Sequence, residues 1–275
     1  MHCRLYKYKT KKYHTAALML LFGFIYCSAT DNDSPSKGLK FALLGDSMTW
    51  IGGDSCEKAT GWSHILMESG KAESIGMYAR SGATWTNTSQ TKRDPSFYSE
   101  VLHDNNVVYN QAIRLIDDYK KEAISSPDCI VIFAGANDAW FADRRPGIYD
   151  SWDNQSRFSE ETDPASITTL AGSVALVCEL LNEYFPNSLQ TVVTPLQMSK
   201  VSAEIIHNAS DIIESAAISK GCTVLRADKE VGITHEVEST SPTFTSDGVH
   251  TNPDGARLVG NYILTHLPDK QSNKN

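Results

Sequence analysis

Five short apolar runs alternate with longer helical patterns along this 275-residue chain, and no other feature constrains its fold as strongly. The strand candidates are Lys40–Leu44, Ser74–Ala79, Cys129–Ala134, Thr191–Thr194 and Thr223–Arg226. Helical patterns cover Trp62–Ser69, Val107–Ala123, Ile167–Tyr184 and Val201–Ser219, and a last one runs from Pro253 to His266. Within the fourth, Ile205, Ala209, Ile212 and Ala216 recur at helical spacing. Strands joined by helices need both sheet faces covered, so the pattern predicts an α/β fold with a parallel sheet between two helical layers. Two polar and aromatic stretches, Thr84–Asn106 and Ala139–Pro164, break the alternation. Each follows a strand and is expected to lie over the sheet's carboxyl edge.

The chain's beginning reads differently. Arg4, Lys7, Lys9, Lys11 and Lys12 precede an apolar run, Ala16 to Tyr26, that is too short to cross a bilayer. This is the pattern of an export signal over residues 1–29. Two processing sites stay open: lipidation at Cys27 after a lipoprotein-type cut, or ordinary cleavage after Ala29. Residues 30–38 read as a linker, 39–268 as one domain and 269–275 as a polar tail. Losing five basic residues and no acids takes the net charge from −8 to −13. So acidic a surface argues against nucleic acid or an anionic membrane as partner. Membrane contact is expected only through a lipid anchor at Cys27, and the location is expected to be periplasmic, extracellular or anchored at the cell surface. Cys56, Cys129, Cys178 and Cys222 have neither disulfide-framework nor zinc spacing, and three of them lie in apolar segments, which favours buried thiols.

Gly45-Asp46-Ser47 ends the first apolar run. Small polar residues at that point sit at the sheet's carboxyl edge, where open α/β folds keep their ligand sites. A serine there is a nucleophile if an imidazole reaches it. Among the eight histidines, only His250 has an aspartate three residues earlier, Asp247, close enough to fold back onto the ring. The bland reading is a turn with a capping aspartate. Acyl transfer also needs donors for a developing oxyanion. Asn137, in Gly135-Ala136-Asn137-Asp138, and the Gly82 N–H, in Ser81-Gly82-Ala83, both follow strands. Either can equally be a turn former.

Taken in order, Gly45-Asp46-Ser47, Gly82, Gly135-Ala136-Asn137-Asp138 and Asp247-Gly248-Val249-His250 resemble the four blocks of the SGNH (GDSL) hydrolases. Gly61-Trp62-Ser63-His64-Ile65-Leu66 is similar to the helix after their first block, and the resemblance runs from about Lys40 to His266. It implies a three-layer α/β/α flavodoxin-like sandwich with a five-stranded parallel sheet, strand order 2-1-3-4-5. It also implies ester hydrolysis without metal or cofactor. Ser47 is then the nucleophile, His250 the base and Asp247 its orienter. The oxyanion hole is formed by the Ser47 and Gly82 N–H groups and the Asn137 amide, while Asp46 and Asp138 hold loops. The long loop Ile51–Thr60 departs from the family pattern.

Trp50, Trp85 and Trp140 are the candidate substrate contacts, with Phe141, Tyr149 and Trp152 in the same loops. Buried under those loops, they are instead a small core. Arg144 and Arg145 are expected to pair with nearby acids. The expected function is an exported serine esterase that removes short acyl groups, acetyl above all, from a carbohydrate or another small ester. The alternatives are a lipase, lysophospholipase or thioesterase, and a non-catalytic carbohydrate-binding protein. Metal-dependent hydrolysis is disfavoured, because His235-Glu236 lacks the second histidine of a zinc helix.

Overall fold

Four strand ends in one register set the frame of this protein. The computed structural model describes residues 38–267 except 154. The expected export signal, most of the linker and the polar tail lie outside the described residues. The strands are β1 (Leu39–Gly45), β2 (Ala72–Met77), β3 (Cys129–Phe133), β4 (Leu189–Val193) and β5 (Thr223–Leu225). They form one parallel sheet in the order β2-β1-β3-β4-β5, as expected. Gly45 pairs with Phe133, Phe133 with Val193, and Val193 with Leu225, so the chain leaves four strands at a common edge.

The helices are α1 (Ser47–Trp50), α2 (Trp62–Glu68), α3 (Val108–Lys120), α4 (Ala136–Trp140), α5 (Leu170–Tyr184), α6 (Ala203–Ser219), α7 (Ala227–Glu230), α8 (His235–Thr240) and α9 (Pro253–His266). Helices α3, α5 and α6 pack in a row on one face, and α2 packs on α9 on the other. This is the three-layer α/β/α sandwich. The long helices begin where capping chemistry allows. Thr169, Ser202 and Asn252 each accept an orphan N–H of the following first turn, and Pro253 opens α9 where its missing N–H costs nothing. Central β3 is buried at every position, as a strand covered on both faces must be. Cys56, Cys129, Cys178 and Cys222 are buried free thiols.

The two irregular stretches stay at the carboxyl edge only in part, at Val101 and Trp140; other parts of both pack against α3 and α5. Arg114 on α3 donates to the carbonyls of Pro95 and Phe97. Glu160 takes Arg93 and Lys120, both at 2.6 Å, and the Tyr184 hydroxyl. Trp152 stacks on Phe158 at 6.1 Å, with the Lys220 ammonium over both rings. Lys220 also donates to Glu179 at 2.6 Å and to the Ser156 carbonyl at 2.9 Å, and its side chain is only 4% exposed. The charged and aromatic side chains of the second stretch thus find partners on the helical layer, which fixes its course.

Lys220→Ala leaves Glu179 with only the longer Arg157 contact at 3.6 Å and removes the cation from the Trp152 and Phe158 rings, so it should cost about 1–3 kcal/mol. It should also open residues 151–158 to proteolysis. Urea unfolding and limited digestion check this, and an unchanged unfolding midpoint would contradict it.

Candidate active site

Asp46 leaves β1 with its N–H on the Phe133 carbonyl at 3.2 Å. Its carboxylate caps α1 by accepting from Met48 N–H at 2.9 Å. The other oxygen accepts from the N–H groups of Gly135 and Ala136, each at 3.2 Å. Complete burial pushes this carboxyl up to about 7; the three N–H donors pull against that, and the charge of Asp138 adds to it. Ser47 is therefore the first residue of a helix whose turn is tied to the turn after β3.

Gly45, just before it, is held by a residue that sequence reasoning missed. The buried Gln111 amide of α3 accepts from Gly45 N–H at 2.8 Å and donates to Gly45 O at 2.9 Å. It thereby ties α3 to the end of β1, where Gly45 O also accepts from Arg80 N–H at 3.1 Å. At φ 141°, a Cβ on Gly45 would lie 2.0 Å from the Phe133 carbonyl oxygen, so only glycine fits.

His250 brings its Nε2 to 3.0 Å from Ser47 Oγ, and its Nδ1 to 2.8 Å from Asp247 Oδ2. A carboxylate only accepts, so the ring proton sits on Nδ1 and Nε2 is free to accept from the serine hydroxyl. Asp247 Oδ1 accepts from Val249 N–H at 3.0 Å and from His250 N–H at 2.8 Å, which folds the carboxylate back onto its own histidine. Burial alone would raise the Asp247 carboxyl. The His250 ring and these two N–H groups outweigh burial and hold it below the usual carboxylate range.

The three expected oxyanion donors stand on three different turns. Asn137, 9% exposed on α4, spends one amide hydrogen on Ala83 O at 2.8 Å and keeps the other. The Ser47 and Gly82 N–H groups donate to no protein acceptor among the described residues. Gly82 has φ 73°, and a Cβ there would meet the Val101 carbonyl carbon at 2.5 Å. Asn106 fixes this turn by donating to the carbonyls of Ser81 and Val101, both at 2.8 Å. Asp138 is fully buried and accepts from Trp85 N–H and Thr86 N–H at 2.9 Å and from Thr86 Oγ1 at 2.6 Å.

The aromatic candidates divide. Trp85 is 0% exposed and offers no face to a substrate; the turn that Asp138 anchors carries it into the core. Trp152 belongs to the packing under Lys220. Trp50, one turn after Ser47, is half-buried with Lys58 above its ring at 5.6 Å. Trp140 is 41% exposed one turn after Asn137 and lies parallel to Phe141, with ring centroids 5.7 Å apart. Arg144 covers Phe141 at 5.1 Å, and Arg145 donates to Thr84 Oγ1 and Thr86 O. Neither arginine pairs with an acid among the described residues, because ring and carbonyl partners are nearer.

A serine at the end of the first strand of an open parallel α/β sheet, with an imidazole 3.0 Å away, is an arrangement compatible with acyl transfer. Comparison with protein families supplies the class. Residues 41–263 match the GDSL-like lipase/acylhydrolase family, and the chain belongs to it. Among curated proteins, none matches the chain in sequence. Solved structures share the fold at low identity. A Lactobacillus plantarum protein is 16% identical with a TM-score of 0.55, covering 84% of this chain and 99% of its own. An acetyl xylan esterase, AlAXEase, is 17% identical at 0.51, covering 83% and 100%. A GDSL-like lipase from Bacteroides ovatus is 13% identical at 0.53, covering 83% and 97%.

Held below its usual range, Asp247 keeps its charge to lower pH than an unfolded carboxylate does. It therefore adds stability that is present at neutral pH and lost as acid protonates it. Asp247→Asn should flatten the acid limb of the unfolding midpoint against pH, and an unchanged limb would break the pairing.

Proposed function

We propose that this protein is an exported serine esterase that removes short acyl groups, acetyl foremost, from carbohydrate. The observation that carries the chemistry is the row Asp247–His250–Ser47, at 2.8 and 3.0 Å, beside three unspent donors. In this reading Ser47 Oγ attacks the ester carbonyl while His250 Nε2 takes its proton. Charge then develops on the carbonyl oxygen, and the N–H groups of Ser47 and Gly82 and the Asn137 amide stabilise it. His250 returns the proton to the departing alcohol. Water, activated by the same ring, releases the acid from the acyl-enzyme.

Trp140 supports the carbohydrate half. A flat, exposed indole one turn from the oxyanion amide suits the C–H face of a sugar, and stacking on Phe141 holds it in place. The basic and apolar N-terminal pattern supports export. A longer-chain reading, as lipase, lysophospholipase or thioesterase, has one observation in its favour. Val101, 66% exposed, lies against Gly82 and offers an apolar edge to an acyl tail.

Ser47→Ala should lower kcat by about 10⁴ or more, measured on p-nitrophenyl acetate; retained activity would end the proposal. Rates across p-nitrophenyl esters from acetate to octanoate separate the two readings. A maximum at acetate supports the first, and a steady rise with chain length supports the second. Trp140→Ala should raise KM for acetylated xylan roughly tenfold while sparing p-nitrophenyl acetate. Equal effects on both substrates would remove Trp140 from sugar binding.

A further inference from the structure

Glu238, on α8, is 1% exposed and has no cation beside it among the described residues. Taking a carboxylate out of water without a counter-ion is costly unless hydrogen bonds replace its hydration. Here every donor comes from one short segment. Thr243 N–H reaches the two oxygens at 3.3 and 3.2 Å, Phe244 N–H reaches one at 3.0 Å, and the Thr245 hydroxyl makes a short bond. Thr245 Oγ1 in turn accepts from Gly248 N–H at 3.1 Å. Gly248 lies between Asp247 and His250.

The segment is closed further by Ser246 N–H on His250 O at 2.7 Å and by a bridge between Thr245 and Thr251. From the opposite side, Ser199 N–H donates to Gly248 O at 2.7 Å. Asp247 and His250 are themselves half-open to solvent, with side chains 54% and 32% exposed. Their own packing cannot hold the ring on Ser47. The buried end of the loop has to do so.

We infer that Glu238 is a positioning residue for the histidine base, acting through Thr245 to set the loop that presents Asp247 and His250 to Ser47. The inference rests on the proposed roles of those three residues. Displacement of a reacting group by about 1 Å can cost on the order of 10² in rate, so a slackened loop should show in kcat before KM.

The test uses the full chain. Glu238→Gln turns an amide NH₂ against the donors of residues 243–245, and Thr245→Val removes the relay hydroxyl at nearly constant volume. Both should lower kcat about tenfold or more with KM changed less than about twofold. Thr245→Ser, which restores the hydroxyl, should return kcat to near wild type. A proton NMR readout is independent of turnover: the downfield His250 Nδ1 proton bound to Asp247 should shift or broaden in the first two variants and recover in Thr245→Ser. If Glu238→Gln fails to fold, the two Thr245 variants decide the matter. An unmoved resonance, with or without a loss of kcat, would overturn the inference. A wild-type protein that hydrolyses no ester would sink the functional proposal instead, and the resonance would still decide the positioning.

Discussion

Two buried aspartates stitch together the turns on which the site is built. Asp46, after β1, accepts from the N–H groups that open α4 after β3. Asp138, on α4, accepts from the turn after β2 through Trp85 and Thr86. Neighbouring parallel strands align the turns only coarsely, whereas oxyanion donors must converge within a few tenths of an ångström. Carboxylates taken out of water and surrounded by N–H donors supply that precision. Each acceptor is committed to a named donor, and a displaced turn would leave buried polar groups unpaired. Ser47, Asn137 and Gly82 thus belong to one unit, though 90 residues separate Ser47 from Asn137.

The His250 side of the site is built in another way. Asp247 and His250 lie three residues apart, and their pairing is local to one loop. What is not local is the loop's place over Ser47. Ser199, Thr251 and the buried Glu238 all contribute to it through hydrogen bonds. The Ser47 side is locked by burial and the His250 side by a loop anchored below its exposed tip. Under the proposed mechanism the ring takes and returns a proton, which needs contact with both serine and solvent and suits this division.

Much of this was legible in the amino-acid order. The apolar run ending in Gly45-Asp46-Ser47 announces a strand end, because the hydrophobic period stops where small polar residues begin. The Asp247–His250 spacing states its own geometry. Gln111 and Glu238 were invisible for the opposite reason. Each sits in an ordinary helical context, and its partners lie 66 residues away in one case and just past a helix end in the other. Helices as short as α1, α4 and α7 leave no periodicity to detect. Trp85 misled because composition places aromatics in loops without saying which way they face, and Asp138 turns this one inward. The course of the Ala139–Pro164 stretch depended on Lys220 and Tyr184; pattern reading put Tyr184 at the end of its own helix and left Lys220 just past the next.

The central claim is that Ser47 is the residue activated by its neighbours, and covalent capture tests it most directly. The protein is treated with a small fluorophosphonate, digested, and its peptides weighed. One adduct on the peptide containing Ser47, formed quickly in the wild type and lost in His250→Ala, is the predicted result. No adduct at Ser47, or one formed equally fast without His250, would contradict the account.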